Sequence, residues 1–243
     1  MTAQVSLIEQ LEATIRVGSN DERVAARVVD LLLANADRLS EQQIGAFDDA
    51  LGRLVGGIGN KALAELGRRL APVENAPTET VRRLALDEDI AIAGPVLTQS
   101  ARLTTGDLVA IAKTKSQAHL LAIAGRAQIG EFVTDALLQH GDREVVHSVA
   151  CNSGACLSEA GFAALLQRAE RDESLAEKVG LRLDIPLQLF RKLLSRATEA
   201  VRLRLLAAAP PERQVEVRRV LSLISHEAGR AGTCNPGRVR APR

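Results

Sequence analysis

The side chains best able to do chemistry cluster in the middle of the chain. Two histidines, His119 and His147, fall there. Cys151 and Cys156 form a Cys-x4-Cys pair, with His147 just upstream of Cys151. Imidazole and thiolate are zinc ligands, but structural zinc sites use two Cys-x-x-Cys knuckles or a matching His pair. This spacing supplies neither, so no metal or cofactor is expected. Asp87, Glu88 and Asp89 could be paired carboxylates for acid–base work. They also suit helix ends, where carboxylates favour the positive N-terminus, and that reading is preferred. Gly-x-Ser-x-Gly is absent, which removes the commonest signature of a serine nucleophile. The Gly56-Gly57-Ile58-Gly59-Asn60 run lacks the Gly-x-x-x-x-Gly-Lys-Ser/Thr spacing of a phosphate loop and reads as a helix–helix turn. No catalytic residue is assigned, and the chain is not expected to be an enzyme.

The elements that carry these residues recur. Leu103, Ile129, Leu157 and Ile185 form one column, with a period of roughly 26–28 residues. A second column, upstream of the first, holds Leu97, Ile123, Cys151 and Val179. A third, downstream, holds Ile111, Leu137, Leu165 and Leu193, followed at the next position by Ala112, Leu138, Leu166 and Leu194. Cys151 therefore reads as a small buried hydrophobe, and Cys156, aligned with Gln128 and Asp184, as a polar turn residue. His119 and His147 occupy equivalent positions of consecutive units. Within a unit the apolar stripes are helical, as in Leu157, Phe162, Leu165 and Leu166. Thr104, Ser158 and Ser40 stand where a hydroxyl would cap a helix, and Ser40 with Gln43 makes a capping box. Pro186 suits a first helical position. Gly125, Gly141 and the Asn152-Ser153-Gly154 run suggest left-handed helix ends. Strand signals are nearly absent. The expected fold is all-α: a right-handed α-solenoid of short stacked helix pairs, since one pair cannot bury its stripe alone.

The expected organisation follows. Residues 1–72 form an N-terminal helical segment packed on the array, with Val24, Val28, Val29, Leu31 and Leu32 as a dense apolar face. The array of repeated units spans 78–208. Residues 211–227 form a terminal helix, and 228–243 a disordered tail of Gly, Arg, Pro and Ala. That tail differs in character from all before it, as a truncation or a shifted reading frame would leave it.

The chain has 243 residues, 46% apolar and 25% charged, enough for a substantial core. Its net charge of +1 hides an asymmetry: residues 1–190 carry −7 and residues 191–243 carry +8. No apolar run reaches membrane-spanning length, no signal peptide is expected from the first ten residues, and three Cys make no disulfide framework. A cytoplasmic protein without membrane association is expected. Four Phe at core-like positions, with no Trp or Tyr, argue against base or sugar stacking.

Several runs resemble the bacterial DUF2336 family. They are Leu84-Ala85-Leu86-Asp87, Ala93 to Ser100, Asp107-Leu108, Ala118-His119, Ala122 to Arg126, Val133 to Leu137 and Leu157 to Phe162. The resemblance extends over about residues 5–220. The units are also similar to leucine-rich repeat variants and HEAT-like arrays. The family resemblance implies a bacterial, cytosolic protein and carries no activity, cofactor or catalytic set with it.

The function expected is a non-enzymatic protein–protein interaction module, an adaptor or regulator. Its contacts are placed, by repeat position, at His119, Arg126, His147 and Arg182, on exposed inner-helix faces. The alternative is a nucleic-acid-associated protein using Arg191, Lys192, Arg196, Arg202 and Arg204. A HEAT-like DNA glycosylase comes third, because such sites hold an extrahelical base on aromatic rings.

Overall fold

The computed structural model describes residues 2–17 and 21–231. Among these the chain is all-α, with fifteen α-helices, two short 3-10 turns and no strand beyond an isolated parallel bridge between Ile129 and Ala155. The chain divides into two compact units, Met1–Ser158 and Glu159–Arg243.

The first unit holds α1 (Thr2–Val17), α2 (Asp21–Asn35), α3 (Glu41–Leu54), α4 (Asn60–Leu70), α5 (Thr78–Ala85), α6 (Ile90–Gln99), α7 (Thr105–Thr114), α8 (Gln117–Ala124), α9 (Glu131–His140) and α10 (Arg143–Cys151). Helices pack mainly on the next but one: α4 on α6, α6 on α8, α8 on α10, α3 on α5 and α7 on α9. Gly67 permits the first of these. A Cβ there would stand 2.8 Å from the Ile92 carbonyl oxygen, so a larger residue would push α4 away from α6. The second unit holds α11 (Glu159–Ala169), α12 (Glu173–Leu181), α13 (Leu187–Arg196), α14 (Glu199–Ala208) and α15 (Pro211–Ala231). Within it α11 packs on α12 and α13, α12 on α14, and α15 against α13 and α14. The tail expected from residue 228 begins within α15, and residues 232–243 lie outside the described residues.

Several helices start where local chemistry predicts. Ser40 and Gln43 form the expected capping box: the Ser40 hydroxyl accepts from Gln43 N–H, and the Gln43 side chain accepts from Ser40 N–H at 2.9 Å. Thr104 and Asp107 form a second box on α7. Pro186 stands one position before the first residue of α13 rather than on it. Its fixed φ still launches the helix, and no N–H is lost from the ladder.

The helix ends differ from expectation. No described residue has positive φ. Gly125 closes α8 at φ −81° and Gly141 closes α9 at φ −75°. The chain leaves in right-handed or extended conformation because the next helix begins within a few residues. Gly154 is required by proximity instead: a Cβ there would overlap the Ala127 carbonyl oxygen.

Three of the four sequence columns are buried throughout: the Leu103, Ile111 and Ala112 columns. The fourth breaks at Cys151, which is exposed while Leu97, Ile123 and Val179 are fully buried. Helices α7, α9, α11 and α13 start at Thr105, Glu131, Glu159 and Leu187, each at the same offset from its residue in the Leu103 column. Helices α6, α8, α10 and α12 start at Ile90, Gln117, Arg143 and Glu173, which keep no fixed offset from the Leu97 column, so this column drifts around its helices. The inward positions of α10 are Val145, Val146, Val149 and Ala150, and Cys151 falls on the outer side. Cys156 is exposed, as a turn residue would be. Three Phe are buried, but Phe132, the second residue of α9, is 78% exposed. The alternate apolar residues Val133 and Leu137 take the inward face of that helix.

Candidate interaction face

Helices α6 and α8 contain no Asp, Glu, Lys or Arg in Ile90-Ala-Ile-Ala-Gly-Pro-Val-Leu-Thr-Gln99 or in Gln117-Ala-His-Leu-Leu-Ala-Ile-Ala124. Their inward residues are Ile92, Ala93, Val96 and Leu97 on α6, and His119, Leu120, Ile123 and Ala124 on α8. The opposite sides are uncharged as well and mostly apolar, with Gln99 and Gln117 exposed at the helix ends. Ile90 (37%), Leu121 (38%), Ala91 and Ala118 are exposed, and Gly94, Pro95 and Ala122 are half-buried. A surface helix normally carries charge there. The two helices are tied together at their ends, where the Thr98 hydroxyl lies 2.8 Å from Gly94 O and 3.3 Å from Ala122 O.

The face ends in a groove of about 560 Å³ lined by Pro72, Thr98, Gln99, Ala101, Gly125, Arg126, Ala127 and Gln128. Arg126 is half-buried. Its Nη1 donates to Leu97 O at 2.6 Å and its Nη2 to Ser100 O at 2.8 Å. These are terminal carbonyls of α6 and its exit, which lack helical partners of their own. Arg126 makes no ion pair with a described carboxylate, and burial pushes its guanidinium below the ordinary value. Asn152 repeats the device one helix pair on. Its Nδ2 donates to Ala124 O at 2.9 Å and Arg126 O at 2.7 Å, and its Oδ1 accepts from Gly154 N–H.

A family model described as "Uncharacterised protein conserved in bacteria (DUF2336)" matches residues 92–234, more than half of the chain. The chain belongs to this family. No curated protein and no solved structure matches it. The matched span of the DUF2336 protein begins inside α6 and takes in α8, Arg126 and Asn152.

The four contact residues expected from the sequence are not a set of exposed positions. His119 is fully buried. Its Nε2–H donates to Asp87 O, and its Nδ1 shares a hydrogen bond with the Ser116 hydroxyl, both at 2.8 Å. His147 is half-buried at the fifth residue of α10, whereas His119 is the third of α8, so the two are not equivalent. Arg182 is buried and paired with Asp184 at 2.6 Å. Arg126 alone lines the groove. The acidic cluster is structural: Asp89 caps α6, Asp87 accepts from Asp89 N–H, and Glu88 pairs with Lys115. Lys115 accordingly holds the Glu88 carboxyl below its ordinary value.

The charge-free face of the DUF2336 protein was missed, although its signal was present: ionisable groups, His119 aside, are absent from residues 90–99 and 117–124. Asp48 was also missed. It accepts from Glu79 N–H, Thr80 N–H and the Thr80 hydroxyl, at 2.7–2.8 Å. It thereby caps α5, whose own Pro77 cannot. Asp48 lies on α3, far upstream of these partners, beyond the reach of any local capping pattern. The basic residues of the alternative reading are largely occupied. Arg191 pairs with Glu216, Arg196 with Glu170, Arg202 with Glu199, and Arg204 with Glu173 and Glu177. Among the described residues no helix is long and apolar enough to cross a membrane.

Proposed function

We propose that this chain is a non-enzymatic cytoplasmic adaptor, an α-solenoid of HEAT-like or leucine-rich-repeat-variant helix pairs that binds another protein. The observation that carries the reading is the exposed side of α6 and α8, where two neighbouring helices present Ile90, Ala91, Ala118 and Leu121 without one charged residue. Exposed apolar surface of this kind costs solubility and marks sites of association. The solenoid reading draws on next-but-one packing within the first unit, since stacked pairs make a long surface suited to partner segments. The nucleic-acid reading draws less support, because its arginines already hold carboxylates.

The test is capture of partners by the tagged full chain from lysate of its own host, with nuclease present. Leu121→Glu places a charge in the middle of the face, at a residue exposed enough for the fold to tolerate it. We expect a specific protein that survives nuclease and is lost from Leu121→Glu at unchanged thermal midpoint. Recovery that ignores Leu121→Glu, or that disappears with nuclease, overturns the proposal.

A further inference from the structure

We propose that the groove at the C-terminal ends of α6 and α8 binds the carboxylate of an acidic peptide segment through Arg126. The inference rests on the protein-binding reading and names the chemistry of the segment bound.

A guanidinium has five N–H donors. Arg126 spends two, on Leu97 O and Ser100 O, and its side chain makes no other hydrogen bond or ion pair with the described residues. Three donors remain on a cation that lines an open groove of about 560 Å³. No carboxylate lines this groove. A half-buried guanidinium without an anion is unusual, because desolvation is normally offset by an opposite charge. The two carbonyls offset part of it and fix the plane of the fork. That leaves a pre-oriented planar donor, the geometry that matches a carboxylate. Gln99 and Gln128, both exposed and with no side-chain hydrogen bond among the described residues, add amide donors at the rim.

The charge count selects the ligand. Arg126 is the one cation in the lining. The neighbouring Arg102 is held by Thr78 and Glu41. One cation suits one carboxylate. A nucleic-acid backbone needs several phosphate contacts, and unpaired bases need an aromatic platform that this lining lacks. The groove also continues into the apolar face through Thr98 and Gly125, which lie one turn beyond Gly94 and Leu121. The segment expected therefore carries apolar side chains beside its acid.

The experiment is selection of a random dodecapeptide display library on the full chain, followed by affinities of the enriched peptides made synthetically. We expect enrichment of Asp, Glu or a free C-terminus beside apolar residues. Glu→Gln in the peptide identifies a side-chain carboxylate, and C-terminal amidation identifies a terminal one. Either is expected to weaken binding about tenfold on the wild-type chain and to change nothing on Arg126→Gln. Gln128→Glu provides a second variant that leaves the Arg126 bonds intact, and it should weaken the acidic peptides about threefold through repulsion. Peptides without acid preference that still compete at the Leu121 face would overturn this inference and leave the adaptor reading standing. Failure to enrich any peptide counts against both. Binding of a single-stranded oligodeoxynucleotide that is lost in Arg126→Gln, in place of peptide binding, assigns the groove to phosphate and also overturns it.

Discussion

His119 shows how one polar side chain can be buried without becoming a functional group. It has no exposed surface, yet both ring nitrogens are engaged, Nε2 with Asp87 O and Nδ1 with Ser116 Oγ. It thereby pins the turn between α5 and α6 to the start of α8. Among the described residues no buried side-chain nitrogen or oxygen lacks a partner, so the ring's bonds are part of a satisfied interior. Replacing it with leucine removes both bonds and leaves the Asp87 carbonyl without its donor, a loss of about 1–3 kcal/mol. The measurement is the urea midpoint followed by far-ultraviolet circular dichroism. His119→Leu should unfold at lower urea than wild type, and an equal midpoint would show that the pin contributes nothing. Arg126 is the contrasting residue. It bonds to two carbonyls at the end of α6, Leu97 O and Ser100 O, but it keeps donors in reserve at an open groove. Residue type and repeat position alone put both in one class, and only burial and partner geometry separate them.

At the scale of the helix, caps determine what the sequence reveals. The stripe of α7 is legible because Thr104 and Asp107 mark its start, and the starts of α9, α11 and α13 follow at the period of the apolar columns. Inward positions recur at the same offset from each start, so those columns are buried. The stretch from the start of α10 to the start of α12 is longer, and the pattern counted from the odd helices slips there. Cys151 and His147 then fall on the wrong side of the expectation. The α6–α8 face is written in the sequence as an absence of charge, which a search for periodicity does not register. The caps also predict acid sensitivity. Burial alone would raise the Asp107 carboxyl, but the Thr104 hydroxyl, the Thr104 N–H and the Arg82 guanidinium together hold it below the usual range. A carboxyl depressed in the folded state stabilises the fold above its unfolded pKa of about 4. That contribution is lost as pH falls through the lower folded value. Asp107→Asn should therefore cost about 0.5–1 kcal/mol at pH 7, and the cost should shrink towards zero near pH 2. Thermal midpoints of the two proteins across pH 2–7 check this. A gap of constant size would mean that the carboxylate's charge does not support the cap.

For the molecule as a whole, the question is whether its uneven charge is available to a partner. Residues 191–243 carry a net +8, which by composition alone suggests a polyanion. The geometry of the second unit answers differently for Arg191, Arg202 and Arg204, whereas Arg218 and Arg219 on α15 are exposed. Arg191 reaches Glu216 at 2.9 Å, Arg202 caps Leu194 O and Ser195 O, and Arg204 lies between Glu173 and Glu177. Each exposed pair is individually weak, yet together they place negative charge beside every one of these cations and flatten the local field. Phosphate binding would have to break those pairs before releasing counterions. The affinity for a duplex oligonucleotide, measured from low to physiological salt, should thus show no share from these side chains. Replacing Arg191 and Arg204 with Gln should leave the slope of log K against log salt unchanged. If they do meet phosphate, each should lower the slope by about one. A decrease of that size would move recognition from the uncharged face of the first unit to the basic helices of the second. An unchanged slope, with peptide binding still sensitive to Leu121 and Arg126, keeps recognition on the apolar surface, where one half-buried cation rather than many exposed ones would select the partner.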